Sequence, residues 1–428
     1  PIVGGFFSGP GFPVTEGAFK TTYSNDSNGF VTRFDPTGST LEWSTIFGGE
    51  EDSESGVTDL SVDEAENVTI VGVTFNNDFP VTKGAWAPPP PLFAHVQAYV
   101  ARLNSRGNEL IWSSKFGGTG NEGSAQVAVE PGGGVLVAGY TIADDFPKTE
   151  GAYQEHGPTF QDLNGFLVRL RPDGSAPVYS TYLTSTFGST ISDVAVDASG
   201  IATVIGDPHG RLETTPGSYD SVWDYHQMFI ARMDPYGKRL LYSTFFGPNS
   251  LGEIIQKVAM YPNRRVAFTG QSSGTWPVTE GTWDTTFNGG SYDGGVAIMD
   301  LVLQGVREIG NSIPACRGPL VGGVTEMPQA GAEDFALYVS GAPPHAHGFL
   351  LVGEPGEMSL HGLTLYLKKP WMRIPLESDA NGWAEVPLGL PIGSQGTSFA
   401  CQFVFLNPKD CSGAGPCSTS QGLWIRVQ

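Results

Sequence analysis

Asp78-Phe79-Pro80-Val81-Thr82-Lys83-Gly84-Ala85-Trp86 is the stretch on which the fold turns, because the chain keeps returning to it. Earlier it stands as Gly11-Phe12-Pro13-Val14-Thr15-Glu16-Gly17-Ala18-Phe19, and later as Asp145-Phe146-Pro147-Lys148-Thr149-Glu150-Gly151-Ala152-Tyr153. A degraded copy is Arg211-Leu212-Glu213-Thr214-Thr215-Pro216-Gly217-Ser218-Tyr219, and a fifth is Thr275-Trp276-Pro277-Val278-Thr279-Glu280-Gly281-Thr282-Trp283. The aromatic-Pro step recurs after 67, 67, 66 and 64 residues. A period of that size is the mark of a repeat architecture, in which each unit buries its apolar face against the next.

Four short β-patterned runs follow each marker. After the first they are residues 30–34, 41–47, 57–62 and 68–73, and after the second 99–103, 110–116, 125–129 and 135–140. The third repeat has 166–170, 178–183, 191–196 and 202–205; the fourth has 229–233, 240–246, 254–260 and 265–269. Each run is rich in β-branched and aromatic residues and is bounded by Gly, Pro or Asp, the pattern of strand, turn and strand. Four antiparallel strands per unit, repeated radially, predict a five-bladed β-propeller of ~66-residue repeats. Residues 2–7 read as the fourth strand of a repeat with no preceding three, while the fifth repeat runs out after 296–301 and 306–309. The expectation is a ring over residues 1–310, closed where residues 2–7 pair beside strands of the last repeat.

The repeated pattern is Asp-Phe-Pro-x-Thr-x-Gly-Ala-aromatic, Phe-Val-x-Arg-Phe-Asp-Pro-x-Gly, aromatic-Ser-Thr-x-Phe-Gly-Gly and Val-x-Val-Asp. It resembles the bacterial SBBP family of β-propeller repeats over residues 1–310. The resemblance implies an exported or cell-surface bacterial protein with no shared catalytic motif. The fourth repeat departs most, with Leu212-Glu213 at the aromatic-Pro step. Beyond it, residues 314–428 show alternating runs at 335–344, 349–353, 363–367, 398–406 and 423–427, with an Asp379-Ala380-Asn381-Gly382 turn. Alternation without a helical period predicts a small β-sandwich. This part resembles the C-terminal sandwich module of secreted planctomycete and myxobacterial proteins.

Composition sets the class. Among 428 residues are 58 Gly and 32 Pro, and only 16% are charged. Such a mix suits many short strands and tight turns. A formal charge of −21 disfavours nucleic acid and anionic membrane surfaces as partners. No run of 18 apolar residues occurs, so no transmembrane segment is expected, and no apolar leader follows Pro1. All four cysteines, Cys316, Cys401, Cys411 and Cys417, fall in the last third, with spacings unlike a zinc site. Disulfides in an oxidising compartment are expected. The glycine-rich loop between Cys411 and Cys417 predicts one local bridge there and a second between Cys316 and Cys401, with Cys401–Cys411 open as an alternative.

Candidate site residues are of three kinds. Arg33, Arg102, Arg169 and Arg232 recur in the first run of four repeats, with Ile298 in the fifth. The guanidinium fork suits them as structural anchors holding a neighbouring loop through carboxylates or carbonyls; an innermost strand would instead turn them into a central channel. Variable inserts at 20–29, 87–98, 154–165, 220–227 and 284–294 all fall at one point of the repeat and should share one face. They carry a candidate binding face of Tyr23, Phe93, His95, His156, Trp223, Tyr225, His226 and Tyr292, with Trp86 nearby, suited to stacking on sugars or on protein. The run Glu50-Glu51-Asp52-Ser53-Glu54 offers oxygen ligands for Ca2+ without the spacing of a calcium loop, and His345 and His347 lack a third metal ligand. No cofactor is expected.

No Gly-x-Ser-x-Gly elbow, His-Glu-x-x-His, phosphate loop or haem motif occurs. The expectation is a non-enzymatic extracellular or cell-surface protein, serving attachment, matrix or filament assembly through self-association or glycan contact. The alternative is a polysaccharide-active propeller enzyme with paired carboxylates on the insert-bearing face.

Overall fold

The computed structural model describes residues 1–428 apart from 24–26, 51–53, 89–95, 158–161, 225–226, 248–253, 262–264, 274–275, 317, 361–362, 410 and 412–414. Among the described residues the regular structure is β throughout, save one 3-10 turn at Ile392–Ser394. Strands β1 (Ile2–Ser8), β2 (Ser27–Phe34) and β3 (Leu41–Phe47) form the first antiparallel sheet. The second is β4 (Ser55–Val62), β5 (Val68–Thr74), β6 (Gln97–Leu103) and β7 (Leu110–Phe116), paired in that order. The third is β8 (Glu122–Val129), β9 (Val135–Thr141), β10 (Asn164–Leu170) and β11 (Pro177–Tyr182). The fourth is β12 (Ser189–Val196), β13 (Ala202–Pro208), β14 (Met228–Met233) and β15 (Leu240–Phe246). β16 (Ile254–Met260), β17 (Arg265–Ser272) and β18 (Asp293–Asp300) make the fifth.

Sheet and repeat are offset by two strands. The marker is the connection between a sheet's second and third strands, so two runs after it finish one sheet and two begin the next. β1 takes a second-strand place: Gly5 lies opposite Phe30 as Gly72 lies opposite Tyr99, Gly139 opposite Phe166 and Gly206 opposite Phe229. The glycine makes room for the ring across from it; a Cβ on Gly206 would come within 2.7 Å of Phe229. β1 pairs with β2, and among the described residues no backbone pairing joins it to the fifth sheet. The closure expected through residues 2–7 is not seen among the described residues.

Apolar clusters lie between successive sheets, not within one central core. Val31, Trp43 and Phe47 of the first sheet meet Ile70, Tyr99 and Leu103 of the second. Trp112 and Phe116 meet Phe146, Phe166 and Val168 of the third. Tyr179 and Leu183 meet Ile191, Phe229 and Phe245 of the fourth. Burying one such aromatic contributes roughly 1.5–3 kcal/mol, so each junction is held by several.

Two further sheets follow. β20 (Val321–Val324), β21 (Ala336–Ser340) and β24 (Ala384–Pro387) form the smaller. The larger runs β19 (Val306–Ile309), β27 (Gly422–Arg426), β25 (Ser398–Leu406), β22 (His347–Leu360) and β23 (Leu363–Glu377), with β26 (Cys417–Thr419) on β25. Their buried residues share one core with the fourth and fifth sheets, from Phe246 and Phe268 to Leu337, Phe403 and Ile425. Residues 306–309, expected as a strand of the fifth repeat, pair with β27 instead.

The disulfide expectation is also corrected. Cys316 is bonded to Cys411, with Cα atoms 5.3 Å apart, and Cys401 and Cys417 are free. Cys401 alternates along β25 with Phe399, Phe403 and Phe405, all facing the core, and is fully buried. Burial pushes its thiol pKa up. Cys417 pairs with Leu406 in the β25–β26 ladder, which closes that turn by hydrogen bonds and leaves Cys411 to reach the 315–318 turn.

Candidate functional site

The marker residues are spent on structure. Its Thr bonds the outer strand of the same sheet in both directions: Thr82 N donates to Ser113 O (3.2 Å), and Ser113 N donates to Thr82 Oγ1 (2.9 Å). Thr15 with Ser44 and Thr149 with Ser180 repeat the exchange. Its Asp accepts an amide from the loop entering the sheet, Glu50 N on Asp78 (2.7 Å) and Thr119 N on Asp145 (2.7 Å). Its Phe is buried at the junction, as in the Phe146–Phe166 stack at 4.5 Å.

The repeat arginines lie on third strands and fasten turns. Arg102 donates to Thr69 Oγ1 (3.0 Å), Gly133 O (2.9 Å) and Pro172 O (3.1 Å). Arg169 forks onto Glu130 at 2.5 and 2.8 Å and reaches Pro235 O (2.7 Å) and Asn381 (3.2 Å). Arg33 pairs with Glu42 and Glu66 nearer the surface. Among the described residues Arg232 makes one ion pair, to Asp197 at 3.4 Å, and its buried Nε has no hydrogen-bond partner. Between successive sheets the first strands also meet in turn, β4 with β8, β8 with β12 and β12 with β16. Each has a shift of register against its neighbour, between Val57 and Asp59, Gly123 and Gln126, Ile191 and Asp193, and Ile255 and Lys257. Asp59 accepts Val127 N (2.9 Å) and Asp193 accepts Val258 N (2.8 Å), so a carboxylate of one sheet's first strand bonds the backbone of the next sheet's first strand. Lys257 ends the series, donating to Asp193 (3.3 Å) and Gln126 (3.1 Å).

The insert residues divide. Trp223 packs on Phe245 at 5.3 Å, over its own sheet. Tyr23, His156 and Tyr292 are exposed. Phe93, His95, Tyr225 and His226 lie outside the described residues, as do 51–53 of the acidic run. Glu50 at the start of that run binds Lys20 Nζ (3.0 Å), so an ammonium serves it where a metal was considered. His345 adopts a left-handed backbone (φ 52), while His347 opens β22. Among the described residues no three His, Cys, Asp or Glu side chains converge as a metal site.

One polar cleft of about 390 Å3 opens beside the third insert. It is lined by Tyr153, Gln154, His156, the 184–186 connection, Arg211 and Glu213. Tyr153 OH donates to Glu213 (2.8 Å), and Gln154 is held by Thr184 N (3.0 Å). Burial raises the Tyr153 phenol, and the Glu213 carboxylate reinforces this. The lining has one carboxylate, where glycoside cleavage by the two-carboxylate route needs a facing pair.

Sequence reading passed over two features. Glu122 is buried where neighbouring sheets carry Ser55 and Ser189. One carboxyl oxygen accepts Gly118 N (3.0 Å) and Thr141 Oγ1 (2.8 Å), and the other has no partner. Burial pushes its pKa up to about 8, opposed by those two bonds. Aligning the repeats against one another would have exposed this acid among serines. The second feature is an apolar surface on the last repeat: Val278, Trp283, Phe287, Tyr292, Val296 and Ile298 are all exposed.

No protein-family model and no curated protein matches this chain. A solved structure described as a tetra-tandem repeat in the extending region of a large adhesion protein aligns with 94% of this chain and 82% of its own. It is 10% identical with a TM-score of 0.17, a likeness too slight to argue from.

Proposed function

We propose that this chain is a non-enzymatic, exported bacterial protein that acts by attachment and assembly at the cell surface. Its five repeat sheets are taken as the blades of an SBBP-type β-propeller left open between the first and fifth, and the two C-terminal sheets as a β-sandwich. Supporting the propeller are the recurring sheet-to-sheet bonds and the close approach of the four first strands. The Cys316–Cys411 bridge supports an oxidising compartment.

The observation that carries the function is the apolar surface of the last repeat. In the first three repeats the marker's last aromatic and the third strand are spent on the sheet or its neighbour; in the fourth Tyr219 is largely exposed, and in the fifth Trp283, Val296 and Ile298 all face solvent. Exposed apolar patches rimmed by polar residues mark interaction sites. The repeat's polar residues are meanwhile committed to internal bonds. The reading is tested by fractionating native cells, imaging the protein by electron microscopy and screening it against a broad panel of polysaccharides. Surface-bound material in repeated chain-to-chain contact, with no glycan turned over, is expected. Turnover of any polysaccharide would favour the enzyme alternative, whose place would be the Tyr153–Glu213 cleft.

A further inference from the structure

Three junctions between successive sheets share one latch. The marker's last aromatic residue donates its amide to the turn glycine of the next sheet: Phe19 to Gly107 (2.9 Å), Trp86 to Gly174 (2.7 Å) and Tyr153 to Gly237 (2.6 Å). An outer-strand ring of the preceding sheet roofs each glycine. A Cβ on Gly107 would lie 2.3 Å from Trp43, on Gly174 2.5 Å from Trp112, and on Gly237 2.3 Å from Tyr179. These glycines have φ of 64, 67 and 66, so only a residue without Cβ meets both demands.

Both halves of a further latch stand open. Gly38 holds the corresponding turn of the first sheet, with φ 74, and among the described residues nothing beyond its chain neighbours comes within 4 Å of its Cβ position. Trp283 is the corresponding aromatic of the fifth marker and is fully exposed. Ile298 on β18 stands where four sheets carry the turn-fastening arginine, and with Val296 it faces solvent; on the first sheet Val3 does the same. The outer strand that would have roofed the next glycine is missing from the fifth sheet, since β19 belongs to the C-terminal sheet. The fifth sheet itself is held to β12 through Lys257 and Val258 and shares its core with the C-terminal sheets.

We propose that the occupant is a second copy of this chain: the fifth sheet of one copy seats on the first sheet of the next, with Trp283 closing on the Gly38 turn. The contact continues the junction that the chain already makes between its own sheets. It names the partner for the assembly reading above and rests on it. A contact between two different faces that does not close on itself builds an open series. Each copy carries a formal charge of −21, so association strengthens as salt screens the repulsion.

The test is sedimentation velocity of the full chain over a rising concentration series, with two variants checked for intact fold by circular dichroism. One variant, Trp283→Ala with Ile298→Lys, blocks the fifth sheet; the other, Val3→Lys, blocks the first. The unaltered chain should form a ladder of oligomers, and each variant alone should associate roughly tenfold or more weakly. Mixing the two variants should give a dimer that grows no further, because each supplies the face the other lacks. A monomer at every concentration, or a dimer indifferent to both variants, would overturn the contact. A monomer that still sits on the cell surface would overturn this contact alone, so the two readings fail separately.

Discussion

The junction between the second and third sheets and the outer side of the fifth sheet are built from the same repeat, yet one is sealed and the other bare. At the sealed junction Arg102 grips two turns, Trp86 bonds Gly174, and Phe146 stacks on Phe166 beneath them. On the fifth sheet the arginine has become Ile298, the marker aromatic is the exposed Trp283, and the residue across from the second-strand glycine is Gly295 in place of an aromatic. The fourth sheet lies between these extremes: its arginine keeps one long contact and its marker has lost the Phe-Pro step. The contrast teaches that the motif is a device for joining a sheet to its successor. Where the chain supplies no successor, the apolar half of the device remains on the surface.

The largest expected effect lies where the chain turns away from the repeats. The Cys316–Cys411 bridge spans 95 residues, and loop entropy gives it about 4–5 kcal/mol. Cys316→Ser should lower the denaturation midpoint accordingly, and non-reducing peptide mapping of the native chain should find Cys401 and Cys417 as thiols. The next largest separates sealed from loose anchoring. Arg169→Ala strips a buried carboxylate of its partner and should cost about 3–5 kcal/mol by chemical denaturation. Arg33→Ala, whose carboxylate partners are more exposed, should cost about 0–1 kcal/mol. Equal losses would mean that the arginines do not work as graded fasteners.

The period and the strands were legible because each rests on local chemistry. A Thr that bonds the outer strand, an Asp that caps a loop and a Phe that fills a junction must recur wherever the junction recurs. The offset between repeat and sheet was not legible. It depends on which strands pair across the marker loop, and only the Gly5–Phe30 type of register betrays it. The disulfide misreading was avoidable: Phe399, Cys401, Phe403 and Phe405 alternate inward, which already places Cys401 in the core. The cleft beside Tyr153 joins residues some sixty apart in sequence, 153 and 213, and carries no motif of its own.

A smaller effect sharpens the third sheet against the second. Glu122 is neutral in the folded chain up to about pH 8, whereas unfolded it ionises near the ordinary glutamate value of 4.5. Between those values the folded state holds the extra proton, so its contribution is full below about 4.5 and declines as pH rises, by at most about 1.4 kcal/mol per unit. Glu122→Gln should flatten that slope between pH 5 and 8, while Ser55→Ala in the second sheet should leave it unchanged. Smallest of all, Trp283→Ala should shift the stability of the monomer by no more than about 0.5 kcal/mol, as expected of a fully exposed side chain.

One latch seals the first three junctions between sheets and stands open at the fifth marker. Amide hydrogen exchange of the dilute, monomeric chain, read peptide by peptide, tests it most directly. The peptides carrying the amides of Phe19, Trp86 and Tyr153 should exchange slowly and together, and the peptide carrying that of Trp283 should exchange fast. Equal protection of all four in the monomer would show that the fifth latch closes within its own chain, and would contradict the account.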